Sequence, residues 1–517
     1  MKQLDTLSYL KLSKIQKIGY KLASFFCAIP KWFVGLFLKL WGFIKAIGLK
    51  IADTCVDIVK TFKNGSWKTR VSFLVMGFGS VMFGQWLRGL LFFAFEVVFI
   101  IYMIFAGAHW LSQLGTLGTK LPTTKPVYNP VFDDTVETTI PGDSSFKILL
   151  YSLLTIFFII AFIYTWRVNI KQCRINEEIL ASGRKVKSTK EDMKAVLDDQ
   201  FHKTLLSLPL IGILVFTVMP IIFMILVAFT NYDASHPGNG YANLFTWVGF
   251  ENFNLLLDFG GGKTFAFGEI LAWTLIWAFF ATFTNYFLGM FVAMMINKKG
   301  IRLKKVWRTI LVITIAIPQF ISLLYVSNLF ADNGVVNGIL LKLNIIDKEH
   351  IIHFWGETGQ NPWLPRTMVI LINIWVGIPY LMLITTGILM NIPQDLYEQS
   401  RIDGANAWQQ YTKITLPYML FVTGPYLLTS FVGNINNFNI IYLLTGGGPD
   451  NPKLIVDGTI AGDTDLLITW LFDLTTGASA NYKLSSVIGI LIFLVVAIIS
   501  LVVYNILPSN RREGDFS

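Results

Sequence analysis

Charge is what this chain has least of. Only 14% of its 517 residues are Asp, Glu, Lys or Arg, whereas 54% are hydrophobic. One water-soluble core cannot hide that much apolar surface, so a freely soluble globular protein is excluded and a bilayer is required. Cysteine is scarce as well. Cys27, Cys55 and Cys173 share no Cys-x-x-Cys spacing, so neither a disulfide framework nor a thiolate metal site is expected. Of the five histidines, His350 and His353 alone have a metal-like spacing, and no ligand cluster accompanies them, so zinc is not expected. The apolar runs also lack paired carboxylates, a nucleophile elbow or a metal cluster, which argues against a membrane-embedded enzyme. Residues 1–20 scatter Lys2, Lys11, Lys14 and Lys17 without a signal peptide's apolar stretch and cleavage site, and the N-terminus is expected to be retained.

What is present is a series of long apolar runs. About 20 helical residues cross a hydrocarbon layer of ~30 Å. On that criterion the chain reads as an all-α integral membrane protein of about eight transmembrane helices: 87–107, 147–167, 205–230, 269–297, 304–330, 365–392, 417–444 and 483–507. The shorter glycine-rich run 71–85 reads as a re-entrant or interfacial piece, with a ninth span as the alternative. Lys and Arg concentrate in residues 1–70, in Lys171 to Lys203, in Lys298 to Lys305 and at Arg511 and Arg512. These segments alternate with the eight spans, so positive-inside orientation accounts for the +10 net charge without nucleic acid and expects both termini in the cytoplasm.

Four regions follow: a basic N-terminal cytoplasmic or interfacial region (1–70), the first spans with a basic loop (71–204), a core (205–508) and a tail (509–517). Within 20–63, Lys31, Lys39, Lys45 and Lys50 recur among Trp32, Phe33, Phe37, Trp41 and Phe43, the pattern of an amphipathic helix on the inner leaflet, with a transmembrane hairpin as the alternative.

From residue 205 onward the spans carry ionisable residues only at their ends. Ion-coupled carriers and voltage sensors need such groups inside the membrane, because charge movement is their energy source. The lone mid-span acid, Glu96, fits a satisfied structural carboxyl. Amides, hydroxyls and aromatics in the later spans suit a neutral, hydrogen-bonding solute.

Residues 398–417, EQSRIDGANAWQQYTKITLP, interrupt the apolar pattern on the cytoplasmic side. Pro393 fits a first helical turn, Asp395 favours a helix N-terminus, Gly404 can end a helix in the left-handed conformation, and Pro417 marks the return to the membrane. Two short helices joined at a bend are expected. The spacing of Glu398, Gly404, Ile414, Leu416 and Pro417 resembles the EAA loop of ABC-importer membrane subunits.

The chain over 205–508 therefore resembles the carbohydrate-importer permeases. NIWVGIPYLML (373–383), NINNFNIIYLLTGGGPDN (434–451) and AGDTDLLITWLF (461–472) are similar to the larger membrane subunit of the maltose and maltodextrin type. The resemblance implies a non-enzymatic subunit of the bacterial plasma membrane. It pairs with a second permease, binds no cofactor itself, works with two ATPase subunits that use ATP, and receives oligosaccharide from an extracytoplasmic binding protein. It implies ATPase coupling through Glu398, Asp403, Gly404, Ala405, Ile414, Leu416 and Pro417. It also implies a substrate site near the midplane that includes Asn373, Val376, Gly377 and Tyr380, with Ser430, Gly433, Asn434 and Asn437 on the following span.

Asn373, Gly377 and Tyr380 fall at i, i+4 and i+7, and Ser430, Gly433, Asn434 and Asn437 at i, i+3, i+4 and i+7, so each set shares one helical face. Such stripes line a polar cavity or join helices in lipid. Ile315 and Gln319 stand where maltose-type members carry a tyrosine and a serine of that site, so Gln319 is a ninth substrate candidate, and Gly433 replaces a ring-bearing residue. Raffinose-type or plant-derived oligosaccharides thus remain alternative cargoes, and a stand-alone secondary carrier is the alternative class. FGGGKTF (259–265) resembles a phosphate loop but has Leu257 where that motif needs glycine, so no ATP site is expected.

Overall fold

The computed structural model describes residues 35, 38, 41–43, 45–129, 134–198, 201–236, 244–257, 266–298, 300–477 and 480–506. The FGGGKTF decoy, Cys27 and most of the basic N-terminus lie outside these residues. Among the described residues seven helices are long and apolar enough to cross a membrane, and a sharply bent pair brings the number to eight. This matches the eight runs of the sequence. The chain divides into two compact units, residues 1–111 with 152–213, and 112–151 with 214–517.

In the first unit, α1 (Trp86–Gln113) and α2 (Ser145–Ala181) are long apolar helices. Their contact is aromatic. Phe99 stacks on Phe162 at 3.9 Å between ring centroids, and Phe95 and Tyr102 meet Phe158 edge-on. Offset and edge contacts of this kind are favoured by the ring quadrupole. Tyr102 also shares a 2.8 Å hydrogen bond with Thr155.

The run 71–85 does not span. It folds into turns around a five-residue helix, Phe78–Met82, and its backbone polar groups are met by side chains of both long helices. Met76 N–H donates to Glu96 at 2.8 Å and Gly77 N–H to Asn169 at 3.0 Å, while the Asn169 amide donates to Ser72 O at 3.0 Å. Irregular backbone at membrane depth requires such partners. Glu96 thus has the structural role expected of it.

α3 (Phe201–Val227) begins in the first unit and ends in the second. A two-stranded ribbon pairs β1 (Thr123–Asn129) with β2 (Asp134–Ile140), and a second pairs β3 (Asp450–Val456) with β4 (Thr459–Gly462). Both lie between apolar helices of the chain. The helices of the second unit include α4 (Ala266–Asn297), α5 (Lys304–Ala316), α6 (Gln319–Leu329), α7 (Trp363–Leu389), α8 (Gln394–Ile402), α9 (Ala407–Ile435), α10 (Phe438–Leu444), α11 (Leu467–Thr476) and α12 (Tyr482–Ile506).

Two adjustments to the expected spans have local causes. α5 and α6 meet at 90° across Ile317 and Pro318, where proline removes an N–H and disfavours helix in the residue before it. The run 417–444 is not one helix. α9 ends at Ile435, and Asn437 caps the new helix α10 by accepting from Ile440 N–H.

α4 and α7 form the tightest pair. A Cβ on Gly289 would stand 2.6 Å from Leu381 Cβ, so only glycine permits this approach. Trp273, Trp277, Leu323, Ile372 and Ile441 form a buried cluster among α4, α6, α7 and α10. At one end of it, Arg366 lies 4.8 Å from the Trp273 ring and donates to Asp463 O at 2.7 Å. That bond pins the loop after β4 to the start of α7.

Candidate functional site

α8 is built by sequence-local rules. Pro393 is its N-cap residue rather than part of its first turn, and Asp395 lies in that turn. At its C-terminus Gly404 adopts φ +77°, its N–H bonds Arg401 O at 3.0 Å, and Ala405 N–H bonds Ser400 O at 2.9 Å. This pair of bonds is a Schellman motif with Asp403 as C-cap. Asn406 then opens α9 with a reciprocal capping box to Gln409, 2.8 and 2.9 Å.

The second arm differs from the expected separate short helix. From Ala407 it runs through a π-turn, Tyr411–Thr415, directly into the membrane helix. Pro417 has no N–H for the carbonyl four residues earlier, and a widened turn at that point absorbs the mismatch. Three bonds brace the two arms: Gln410 donates to Ser400 Oγ at 2.8 Å and to Tyr397 O at 3.2 Å, and Tyr397 shares a 2.8 Å bond with Thr415. α8 is therefore fixed to the base of α9.

Its outer face is bare. Glu398, Asp403 and Gly404 are exposed, as are Ile402 at 80% and Trp408 at 70%, while Ala405, Ile414 and Leu416 are half-buried and Pro417 is exposed. Sequence reasoning missed Ile402 and Trp408. Large apolar residues on the polar 398–417 segment were the available signal.

The nine candidate substrate residues separate into two groups. Asn373, Val376, Gly377, Asn434 and Asn437 are occupied in helix packing. Gly377 leaves room for the Asn285 amide, since a Cβ there would lie 2.6 Å from its Nδ2. Asn373 is buried, its carbonyl 3.4 Å from the same amide, and Val376 packs on the Trp273–Trp277 cluster. Asn434 donates to Thr282 at 2.9 Å, and its carbonyl accepts from the Trp277 indole at 3.1 Å. Asn437 donates to Asn434 Oδ1 at 3.2 Å. Because α9 stops at Ile435, this bond, not a shared helical face, is what keeps Asn437 with Asn434. Tyr380, Gly433 and Gln319 are exposed and Ser430 is half-buried.

Both groups of packing residues converge on α4. Its π-turn, Phe280–Thr284, contains Thr282 and is followed directly by Asn285, which donates to Ala281 O at 2.8 Å. Neither residue was singled out from the sequence, although ATFTN stands out within an apolar run. Two buried groups here lack a protein partner: the acceptor Asn285 Oδ1 and the donor Asn373 Nδ2, on facing helices. Each is a group that a hydroxyl, which both gives and accepts hydrogen bonds, can satisfy.

Beside this polar axis lies an apolar groove of about 1060 Å³, lined by Phe279, Phe283, Phe421, Leu428 and Phe431 with Val503 of α12. His353 stands 3.0 Å from both Asp332 and Glu357, and among the described residues no group of three or more potential ligands can hold a metal ion.

Residues 285–513 match the model of the family described as binding-protein-dependent transport system inner membrane component. The maltodextrin transport system permease protein MalC of Streptococcus pneumoniae is 32% identical, over 85% of this chain and 95% of that protein. MdxF of Bacillus subtilis, with the same description, is 34% identical over 83% and 93%. The galactooligosaccharides transport system permease protein GanP of Bacillus subtilis is 31% identical over 85% and 97%. Among solved structures, a bacterial ABC transporter involved in the import of the acidic polysaccharide alginate matches with TM-score 0.46 and 23% identity, over 62% of this chain and 98% of that one.

Proposed function

The chain belongs to the family of binding-protein-dependent transport system inner membrane components and is a multi-pass permease subunit of a sugar-importing ABC transporter, a premise from which we propose that its cargo is maltodextrin. The observation that carries the chemistry is the unpartnered pair Asn285 Oδ1 and Asn373 Nδ2. In a region without ionisable groups, a path edged by single donors and acceptors favours a neutral polyol over an ion.

In this reading a second permease completes the pathway, and the apolar groove beside α4 and α9 is available for its packing. Two cytoplasmic ATPases each grip one coupling loop. Glu398 supplies the charged contact, Ile402 and Trp408 the apolar one, and Gly404 sets the angle between the arms. Asp403, Ala405, Ile414, Leu416 and Pro417 hold that geometry. Closure of the ATPases on ATP moves α8, and the braces to Tyr397, Ser400 and Thr415 carry the movement into α9 and thence to Asn434.

Sugar reaches the outer side on a binding protein. Tyr380, Gly433 and Gln319, which are exposed, and half-buried Ser430 contact it during passage together with Asn373 and Asn437. Both termini and the coupling loop face the cytoplasm of a bacterial plasma membrane. No cofactor is bound by this chain.

The equal coverage of GanP favours a second reading, galactooligosaccharide. A panel of maltodextrins and galactooligosaccharides, offered to the cognate binding protein and then to reconstituted transporter, separates the two. Preferential binding and uptake of α-linked glucose oligomers supports maltodextrin, and preference for galactosides rejects it.

A further inference from the structure

Residues 45–64 form a helix with two unlike sides and an exposed surface larger than its own unit covers. One side faces protein. Thr54, Ile58 and Thr61, spaced i, i+4 and i+7, are the residues of 45–63 that are buried or half-buried, and Asp57 forms an ion pair with Arg174 of α2. The helix end is held as well. Arg70 donates from Nε to Phe62 O at 3.1 Å and from Nη2 to Lys63 O at 2.9 Å, placing a cation on the last carbonyls. Ser66 and Thr69, immediately beyond, donate to Glu177 of α2. Arg174 and Glu177 lie just past the apolar run of α2, where that helix leaves the hydrocarbon.

Among the described residues the adjoining side is exposed, and at its end Phe62 meets Phe73 edge-on at 5.2 Å between ring centroids. Ile51, Cys55, Val59 and Phe62, at i, i+4, i+8 and i+11, make one apolar stripe, with Ile51 59%, Val59 64% and Phe62 51% exposed. Lys45, Lys60 and Lys63 edge the stripe on the side away from α2. Asp53, two residues before Cys55, points to the opposite side. A bare apolar stripe bordered by lysines, fixed to a membrane helix at the point where it emerges, fits lipid better than water or a folded partner. Lysine stems lie along apolar surface while their ammonium groups reach phosphate.

We propose that the 45–64 helix is an interfacial anchor. Its Ile51–Cys55–Val59–Phe62 stripe is buried among the acyl chains of the leaflet, and Lys45, Lys60 and Lys63 bind anionic phospholipid headgroups. The Asp57–Arg174 pair and the Arg70 cap fix the helix against α2, so that lipid composition acts on a rigid attachment. This rests on the chain being membrane-embedded, and not on which sugar it carries.

Cys55 provides a native probe, since Cys173 is buried and Cys27 can be replaced by Ser. Full-length protein in lipid nanodiscs, which expose both leaflets and remove any dependence on sidedness, would be labelled at Cys55 with an environment-sensitive fluorophore. A second preparation, Cys55→Ser with Asp53→Cys, carries the label on the opposite side. In discs of equal parts phosphatidylglycerol and phosphatidylcholine, acyl-brominated lipid should quench the label at 55 severalfold more than the label at 53. Replacing Lys45, Lys60 and Lys63 with Gln, or omitting phosphatidylglycerol, should lower that ratio. Equal quenching at 53 and 55 would overturn the anchor. A ratio indifferent to phosphatidylglycerol and to the lysines would overturn the headgroup contact. Water-soluble maleimide distinguishes the remaining case: unlabelled Cys55 reacting as fast as a cysteine at 53 means the stripe lies in water, and the proposal fails.

Discussion

Single residues decide the chemistry in two places. Asn285 and Asn373 present an unmatched acceptor and donor between α4 and α7. Asn373→Ala removes one hydrogen bond to a passing hydroxyl, worth about 1–1.5 kcal/mol, and should lower kcat/KM for uptake about tenfold at unchanged membrane abundance. Unchanged kinetics in Asn373→Ala and Asn285→Ala would remove these residues from the path.

The other place is Asp465, in the loop after β4. Burial pushes its carboxyl up to about 7, against hydrogen bonds from Gly462 N–H and Thr469 Oγ that favour the ionised form. Its folded pKa is raised, so the stability it contributes is present in acid and is lost as pH rises from about 4 through about 7. Asp473, raised to about 6 by burial and by Asp450, acts in the same direction. Asp465→Asn should flatten this slope. Comparing melting temperatures at pH 5 and pH 8 should show the wild type losing a few degrees more than the variant.

At the scale of elements, the 398–417 loop, proposed to couple to the ATPases, is the most legible part of the sequence. Gly404 announced a left-handed helix end, and its φ of +77° and two Schellman bonds follow that rule. The second arm was less legible, because Pro417 reads locally as a helix start while the structure absorbs it in a π-turn. Likewise, Ser430 to Asn437 looked like one helical face, but no local signal at Asn436 outweighed the apolar run that follows, and the helix breaks there. Thr282 and Asn285 escaped notice for a related reason. Their importance comes from what α7 and α9 place against them, and periodicity within one helix does not carry that information.

Two substitutions test the elements. Gly404→Pro removes the N–H that bonds Arg401 O and forces φ negative, so ATPase activity of the assembled complex should no longer respond to the loaded binding protein, at normal membrane levels. Gly404→Ala, strained by about 1 kcal/mol, should keep partial coupling. Full coupling in Gly404→Pro would reject α8 as a lever. Separately, Gly377→Val places its side chain where the Asn285 amide lies, and should reduce folded yield more than Gly433→Val, where a Cβ meets nothing within 4 Å. Equal yields would remove the close α4–α7 approach from the account.

For the whole molecule, hydropathy and charge gave the membrane class and the number of spans. The 304–330 run gave no sign of its 90° bend beyond Pro318, and the run 71–85 needed the side chains of Glu96 and Asn169 to show that it folds back. Between residues 205 and 508 the spans carry ionisable residues only at their ends. The central claim is therefore that this permease moves sugar only when partner ATPases turn over.

The direct test is sugar uptake into proteoliposomes holding this chain and its second permease, with binding protein outside, measured with and without the ATPase subunits and ATP inside. The account predicts uptake only when both ATPases and ATP are present. Accumulation of sugar without them, whether or not driven by an ion gradient, would contradict it.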